Sequence, residues 1–257
     1  MAYLQFNIKA DTISQCIDFD VFLPTLTGLP ELEKPYRTLY LLTGYSGGSK
    51  ETFTFLNVQL QALLHNIAVV VVAGNKSFYV DKPEWGENYG CFVGEELPEV
   101  TRKLLPLSNK CEDTYIGGIS MGGFGALLNG MRYRETFGKI FAISPAISPK
   151  ELAEKDGSPL YKEKIEQLFE NSKGRNEEKD LKYVLSKNKG KGLPPICLRC
   201  GREDELVWEQ NKEFLKMAEQ YDLELDYRET HGMHDLTYWK EILPECFSFL
   251  NHDSKRG

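Results

Sequence analysis

The sequence has no long hydrophobic run and no excess of positive charge. No stretch approaches the roughly 20 apolar residues of a membrane span, and residues 1–7 have neither the basic start nor the apolar core of a signal peptide. The 31 Lys and Arg against 38 Asp and Glu give a formal net charge of -7, which disfavours nucleic acid because phosphates bind cationic surfaces. We therefore expect a cytoplasmic protein with no membrane and no nucleic-acid partner, acting on a small molecule.

Cysteine is also scarce, with six residues in a chain of 257. Without a secretory signal, this usage favours reduced thiols over a disulfide framework. Cys197 and Cys200 form a C-x-x-C pattern, but within a predicted strand a spacing of three sends the two side chains to opposite faces. We therefore expect no metal site and no redox pair at these cysteines.

What the sequence does contain is a regular alternation of apolar runs and helical patterns. Residues 3–8 and 16–23 predict an N-terminal pair of strands. Residues 39–42 and 67–73 are continuous apolar runs, typical of strands buried on both faces of a parallel sheet, and a helical pattern joins them. The alternation continues to residue 250, which predicts a mostly parallel, doubly wound α/β sheet with helices on both faces.

Residues 145–195 interrupt this alternation. Ser144-Pro145 and Ser148-Pro149 break the pattern, and a charged stretch at 173–180 follows a short amphipathic helix around 161–169. We interpret the segment as a small cap over the carboxyl edge of the sheet, within a single domain of residues 1–257, and the charged stretch as solvated surface.

Two serines lie between glycines in the pattern G-x-S-x-G. Ser120 follows the predicted strand 114–119 and precedes an apolar helical pattern, which is the sequence form of a nucleophile elbow in an α/β hydrolase. Ser46 instead precedes Gly47-Gly48-Ser49-Lys50, a longer loop. In such a fold the residue after the nucleophile and an early strand-end loop supply the oxyanion hole. We therefore predict that the Met121 and Tyr45 backbone amides form this hole, and that Ser46 serves the hydrogen bonding of its own loop beside the substrate.

A serine nucleophile requires a histidine and a carboxylate later in this chain order. Of the four histidines, His65 and His252 are poorly placed, which leaves His231 and His234 after a predicted strand. We favour His234, at the end of the loop where a helix begins. Three carboxylates, Glu203, Asp204 and Glu205, crowd the loop after strand 196–200, and residue type alone does not decide among them. Asp204 is preferred because a short side chain at the loop tip can accept a hydrogen bond from His234.

The residues around these sites resemble the esterase D family, especially its tributyrin esterase and acetyl esterase branch. The resemblance is carried by Gly118-Ile119-Ser120-Met121-Gly122-Gly123-Phe124-Gly125-Ala126-Leu127, by Cys200-Gly201-Arg202-Glu203-Asp204, by His234 with Trp239, and by Ser77-Phe78-Tyr79 with Glu95-Glu96-Leu97-Pro98. It implies an α/β-hydrolase fold, a Ser120, Asp204 and His234 triad, short-chain acyl ester substrates and no cofactor. Related esterases often form dimers or tetramers, so the resemblance is compatible with a homo-oligomer. The family usually has His-Gly where this chain has Thr43-Gly44.

The substrate is predicted to meet the segment after strand 67–73, because ligands bind at the carboxyl edge of open α/β sheets. Ser77, Tyr79 and Trp85 are the candidate contacts there, with Ser46 of the early loop as a fourth. An acetylated carbohydrate or small acyl ester is the first hypothesis. Packing of the aromatic residues beneath the cap is an equally weighted interpretation. A feruloyl-type esterase, a thioester hydrolase or an acyltransferase would use the same acyl-enzyme. A catalytically silent relative that binds a ligand or protein is the alternative outside catalysis.

Overall fold

The computed structural model describes residues 1–25, 35–170, 176–221 and 223–251. Within these ranges the strands are β1 (Ala2–Ala10), β2 (Gln15–Leu23), β3 (Arg37–Leu42), β4 (Ile67–Val72), β5 (Asp81–Lys82), β6 (Glu87–Asn88), β7 (Thr114–Ile119), β8 (Lys139–Ile143), β9 (Ile196–Gly201) and β10 (Leu225–Thr230).

The α-helices of the same ranges are α1 (Ser49–Phe55), α2 (Val58–His65), α3 (Tyr89–Cys91), α4 (Leu97–Leu104), α5 (Met121–Arg132), α6 (Pro149–Asp156), α7 (Pro159–Phe169), α8 (Leu181–Asn188), α9 (Trp208–Gln220) and α10 (Leu236–Asn251). A π-helical turn, Phe92–Glu96, joins α3 to α4, and short 3-10 turns lie at Pro83–Trp85, Cys111–Asp113 and Asn176–Lys179. None of the helices in these ranges has both the length and the apolar character needed to cross a bilayer.

The main sheet has the described strand order β1-β2-β4-β3-β7-β8-β9-β10. β1 and β2 pair antiparallel, β2 joins β4 antiparallel, and every pair from β4 to β10 is parallel. The predicted N-terminal strand pair and the mostly parallel α/β sheet are therefore confirmed. Every residue of β4 and residues 39–42 of β3 are buried, as the continuous apolar runs predicted, since helices cover both faces.

Two hydrophobic clusters lie on opposite faces of this sheet. Alternate residues of β3 divide between them, with Tyr40 and Leu42 in one cluster and Leu39 and Leu41 in the other. The two cysteines of β9 follow the same rule, because Cys200 belongs to the first cluster and Cys197 to the second. Their predicted separation is confirmed. In the described part of the chain, no group of three or more His, Cys, Asp or Glu side chains is arranged to hold a metal ion.

The segment after β8 is largely helical, containing α6, α7 and α8. The sequence pattern predicted only the helix that became α7, because Ser148-Pro149 was interpreted as a break. Pro149 instead occupies the first turn of α6, where the missing proline N–H has no helical partner to lose. Pro159 begins α7 in the same way, after the N-cap Ser158. Residues 173–175 of the predicted charged stretch lie outside the described residues.

Candidate active site

Ser120 lies on a sharp turn between β7 and α5. Its φ of +57° with ψ of −116° is unusual for a residue with a side chain and marks local backbone strain, which surrounding contacts must hold in place. The Ser120 N–H donates to the Ile143 carbonyl at 2.9 Å, and the Ser120 carbonyl accepts from the Phe124 and Ala146 amides, each at 3.1 Å. These three bonds fix the strained residue to β8, to its own helix and to the loop after β8.

The glycines on either side of Ser120 answer a steric requirement of this turn. A Cβ at Gly118 would lie 2.1 Å from the carbonyl oxygen of Gly122, a distance that no real structure tolerates. The strand before the serine and the first turn of the helix after it therefore approach each other with backbone contact only, as the sequence pattern predicted.

A continuous hydrogen-bond chain joins Ser120, His234 and Asp204. His234 Nε2 lies 2.9 Å from Ser120 Oγ, and His234 Nδ1 lies 2.7 Å from Asp204 Oδ2. The three residues come from the loops after β7, β10 and β9, which end at one edge of the sheet. Ser120 and His234 are partly exposed, whereas the Asp204 side chain is fully buried. The structure thus brings together the three residues that the sequence analysis preferred.

Asp204 is held from both of its oxygens. Oδ2 faces His234, and Oδ1 accepts the Val207 N–H at 3.1 Å just before α9 begins. A carboxylate held in this way has one fixed orientation toward the imidazole. Glu203 and Glu205, by contrast, are exposed, so Asp204 is the buried carboxylate of the three.

The loop that carries His234 crosses over the end of β9. The Arg202 amide donates to the Thr230 carbonyl at 2.9 Å, and the Glu203 amide donates to the Gly232 carbonyl at 3.2 Å. The His234 ring meets the Trp239 ring edge-on, with centroids 5.1 Å apart and planes at 90°. The imidazole is therefore held by Trp239 of α10 as well as by Asp204.

His231 makes a separate pair with Glu203, away from Ser120. Its Nδ1 lies 2.9 Å from Glu203 Oε1, and its side chain is 89% exposed. The Gly232 amide and His231 lower the pKa of Glu203, in that order of effect. His65 lies beside Asn251, with Nδ1 2.9 Å from Asn251 Nδ2, and His252 is outside the described residues. Of the histidines that the structure describes, His234 alone lies within hydrogen-bond distance of Ser120.

The loop at 43–48 follows β3 and lies beside Ser120. A Cβ at Gly44 would be 3.7 Å from the Ser120 Cβ. The Gly47 amide donates to the Gly44 carbonyl at 3.1 Å, and Thr43 Oγ1 donates to the Gly47 carbonyl at 3.0 Å, so the loop closes on itself. Ser46 was expected to provide this bonding. It is instead exposed, with no hydrogen-bond partner among the described residues, and Thr43 closes the loop.

Met121 and Tyr45 carry the amides predicted to form an oxyanion hole. Met121 is the first residue of α5, where an N–H has no acceptor within the helix. Tyr45 lies in the turn of the 43–48 loop. Neither backbone N–H has a hydrogen-bond partner in the ranges that the structure describes. Both amides are therefore chemically available at the loop and helix start that adjoin Ser120.

Two of the predicted substrate contacts, Ser77 and Tyr79, are buried in the structure. Ser77 is 4% exposed and its hydroxyl accepts the Tyr79 amide, while the Tyr79 ring is completely buried and its hydroxyl is bonded at the end of β3. Both side chains face protein, so neither meets substrate in this conformation. Trp85 is 45% exposed, and its recorded ring contact is with the Lys82 ammonium at 5.0 Å rather than with any residue of the 43–48 loop.

An aromatic cluster behind the 43–48 loop was not identified from the sequence. Phe78, Phe124 and Phe169 meet pairwise with centroids 5.8 to 5.9 Å apart, and Tyr45 contacts Phe78 at 5.9 Å and Tyr161 at 5.2 Å. Phe124 is one helical turn after Ser120, while Tyr161 and Phe169 come from α7. The helical spacing of Phe124 was visible in the sequence, but its partners are distant along the chain and only the fold reveals them.

The whole chain resembles known esterases. A family model described as "Putative esterase" matches residues 11–250. An acetyl esterase of Caldicellulosiruptor saccharolyticus is 30% identical over 265 residues, covering 98% of each chain.

Solved structures agree with this result. The fluorophosphonate-binding serine hydrolase FphF of Staphylococcus aureus has a TM-score of 0.86 at 25% identity, covering 98% of this chain and 99% of its own. The S-formylglutathione hydrolase FrmB of the same organism has a TM-score of 0.84 at 25% identity, with the same coverage. These matches agree with the family resemblance of the sequence motifs. The chain belongs to this esterase family and is a serine-dependent carboxylic ester hydrolase with an α/β-hydrolase fold.

Proposed function

We propose that the enzyme hydrolyses short-chain acyl esters, acetyl esters foremost, with Ser120 as nucleophile, His234 as general base and Asp204 as the group that orients the imidazole. The observation that carries the proposal is the hydrogen-bond chain of 2.9 Å and 2.7 Å from Ser120 through His234 to Asp204. The similarity to an acetyl esterase over nearly the whole chain supports the choice of acyl group.

In the first half-reaction, His234 Nε2 accepts the Ser120 proton as the serine oxygen attacks the ester carbonyl. Asp204 holds the imidazole in the tautomer with a proton on Nδ1 and stabilises the imidazolium that forms. The backbone N–H groups of Met121 and Tyr45 receive the oxyanion, and each such donor contributes about 2.7 to 4 kcal/mol to transition-state stabilisation. His234 then donates its proton to the departing alcohol, which leaves an acyl group on Ser120.

In the second half-reaction, water replaces the alcohol. His234 again acts as base, the water oxygen attacks the acyl carbonyl, and the proton returns to Ser120 as the carboxylic acid leaves. An alcohol that competed with water at this step would give acyl transfer instead of hydrolysis. The same residues therefore serve either outcome, and the ratio of acid to transferred ester measures which one dominates.

A larger aryl ester is the second candidate substrate. Tyr45 belongs to the loop beside Ser120, and it lies edge-to-face with Tyr161, both rings being half-buried. This arrangement can accept an aromatic ring or a sugar face against it. The cap helix α7 contributes Tyr161, so this part of the cap would select the alcohol or the acyl group. Methyl ferulate and acetylated xylosides distinguish the two possibilities.

A series of p-nitrophenyl esters with two- to eight-carbon acyl chains tests the proposal. We expect the highest kcat/KM for acetate, falling as the chain lengthens. Ser120→Ala should lower kcat by about 10⁴-fold or more and abolish labelling by a fluorophosphonate probe. Ser46→Ala is the matched control, since it is the other serine of a G-x-S-x-G pattern and is exposed near Ser120.

The two serine variants give opposite predictions. Ser46→Ala should keep both turnover and labelling. Labelling that survives in Ser120→Ala but disappears in Ser46→Ala would contradict the proposal and assign the nucleophile to the 43–48 loop. Absence of serine-dependent turnover in the wild type on every ester, thioester and acetylated sugar would favour a silent ligand-binding relative.

A further inference from the structure

Tyr79 has a position that its predicted role in substrate binding does not explain. Its ring is fully buried, and its hydroxyl lies between the carboxyl ends of β3 and β4. There it accepts the Thr43 amide at 2.9 Å and lies 3.1 Å from the Val72 carbonyl and 3.2 Å from the Thr43 carbonyl, to either of which it can donate. A side-chain hydroxyl therefore occupies the point at which the ladder between two central strands ends.

This contact determines where the 43–48 loop leaves the sheet. The Thr43 amide would otherwise continue the parallel ladder with Val72, but that distance is 3.4 Å, while the Tyr79 hydroxyl is closer. Thr43 is followed by Gly44 and Tyr45, whose amide is the proposed oxyanion donor. The hydroxyl of Tyr79 is thus bonded to the backbone two residues before that donor.

The segment that carries Tyr79 is strained in order to reach this position. Asn75, Lys76, Phe78 and Tyr79 all have φ between +45° and +62°, a left-handed conformation that is unfavourable for Lys, Phe and Tyr. Such conformations persist only where the surrounding structure determines them. Here the Ser77 hydroxyl accepts the Tyr79 amide at 3.0 Å, and Asn129 Nδ2 of α5 donates to the Tyr79 carbonyl at 2.9 Å.

The same segment also supports the Tyr45 side chain. Phe78 contacts the Tyr45 ring at 5.9 Å, and the Lys76 ammonium lies 5.2 Å from its centroid. On the other side, the Tyr79 ring packs against the nucleophile helix, because a Cβ at Gly125 would lie 2.5 Å from its Cδ2. Tyr79 therefore contacts the helix that follows Ser120 and the loop that carries Tyr45.

We infer that Tyr79 is a positioning residue, whose hydroxyl sets the location of the Tyr45 amide relative to Ser120. This inference rests on the proposed function, in which that amide receives the oxyanion. The hydroxyl itself does not exchange a proton during turnover. Burial, the largest effect, raises its pKa well above the ordinary value, so it stays protonated and neutral.

Tyr79→Phe removes the hydroxyl and keeps the ring. Without the hydroxyl, the Tyr45 amide would be misplaced, and this amide stabilises the transition state more than the bound substrate. We therefore expect kcat for p-nitrophenyl acetate to fall by about 10- to 100-fold while KM changes less than about twofold. The inhibition constant of a trifluoromethyl ketone, which forms a tetrahedral adduct with a serine, should rise by the same factor as kcat/KM falls.

Tyr40→Phe is the matched control. Tyr40 is also fully buried, and its hydroxyl makes one hydrogen bond, to Thr101 Oγ1 at 2.7 Å, inside the core. Both variants should lower the unfolding midpoint, but Tyr40→Phe should keep wild-type kcat and ketone affinity. Equal kcat and ketone affinity in Tyr79→Phe, Tyr40→Phe and wild type would overturn the inference and leave Tyr79 with a structural role alone.

A second pair of variants tests the positioning role of Tyr79 without removing its hydroxyl. Gly125→Ala would push the Tyr79 ring, whereas Gly130→Ala, on the same helix, meets Ile140 Cγ1 at the same 2.5 Å. We expect Gly125→Ala to lower kcat by more than its loss of stability accounts for, and Gly130→Ala not to do so. Equal kcat in both variants would contradict the inference.

Ser120→Ala tests the proposed function separately from the role of Tyr79. Turnover retained by Ser120→Ala would overturn the proposed function together with the role of Tyr79, whereas unchanged kinetics in Tyr79→Phe alone overturns only that role.

Discussion

At the scale of single residues, His231 and His234 show how surroundings separate two identical side chains. They lie three positions apart, and each has a carboxylate at its Nδ1, Glu203 for one and Asp204 for the other. His231 and Glu203 face solvent, where the pair is screened and contributes little. His234 is partly exposed and its partner Asp204 is buried, and His234 Nε2 lies 2.9 Å from Ser120 Oγ, so the imidazole has a proton acceptor site directed at a hydroxyl.

We predict that His234→Ala lowers kcat/KM for p-nitrophenyl acetate by about 10⁴-fold or more, because the serine then has no base. His231→Ala should change it by less than about threefold, since its partner is an exposed loop carboxylate. Initial-rate kinetics on the two purified variants, with circular dichroism as the check on folding, make the comparison. An equal loss of kcat/KM in both variants would contradict the assignment of His234 as the base.

Some of these residues could be predicted from the sequence, and others could not. Ser120 was identifiable because the elbow needs glycines at fixed positions, and His234 because the order along the chain limits the choice. Asp204 among three carboxylates depends on burial, which residue type does not encode. The place of Tyr79 depends on four residues with positive φ, and Lys, Phe and Tyr are not residues that signal such a conformation.

At the scale of elements, the cap contains a buried lysine, and the neighbouring exposed glutamate pairs with an arginine of the body. Lys179, just before α8, donates to the Leu168 carbonyl at the end of α7 at 2.7 Å, and the neighbouring Glu178 lies 3.7 Å from Arg132 of α5. Burial, and after it the charge of Lys82, lowers the pKa of Lys179 to about 8, while Glu84 and Asp81 act in the opposite direction. The lysine is therefore held in a place that disfavours its charge.

This shift predicts how stability depends on pH. Because the folded-state pKa of Lys179 lies near 8 and its ordinary value is 10.5, the unfolded chain holds the proton between these values while the folded chain does not. The contribution of Lys179 to the free energy of unfolding should thus rise from about pH 8 to about pH 10.5 and stay level below pH 8. Urea unfolding of wild type and Lys179→Met at pH 7, 8, 9 and 10 measures it, and parallel curves for the two proteins would refute it.

At the scale of the whole molecule, the sequence predicted the class of sheet and, within the predicted cap, only the helix that became α7. Continuous apolar runs identify buried parallel strands because no solvent-facing position interrupts them, as in β4. The two-residue strands β5 and β6 are too short to leave any period, and α6 was missed because Ser148-Pro149, which begins the helix, was interpreted as a break. α8 follows the N-cap Asp180, at the end of the charged stretch that was interpreted as solvated surface. Patterns thus recover elements that are long and buried, and lose those that short-range capping defines.

We propose that residues 1–257 unfold as one domain, because the cap shares contacts with the body at several places. Among these, the Ser148 amide donates to Gln210 of α9 at 2.9 Å, and Phe169 packs against Phe124. Thermal unfolding followed by far-UV circular dichroism, tryptophan fluorescence and residual esterase activity should give one common midpoint. Loss of activity in a separate, earlier transition would indicate a cap that unfolds independently.

The loop over β9 must place His234 accurately against Ser120 for the proposed triad to form. Ser120 follows β7 and His234 follows β10, so the imidazole must return across three strand spacings, roughly 14 Å. A slip of β10 by one residue along β9 would displace the loop by about 3.3 Å, far more than the 2.9 Å contact between His234 and Ser120 can absorb. Esterase turnover is therefore also a measure of strand register at the far edge of the sheet, and it would report a misaligned β10 that leaves the secondary-structure content unchanged.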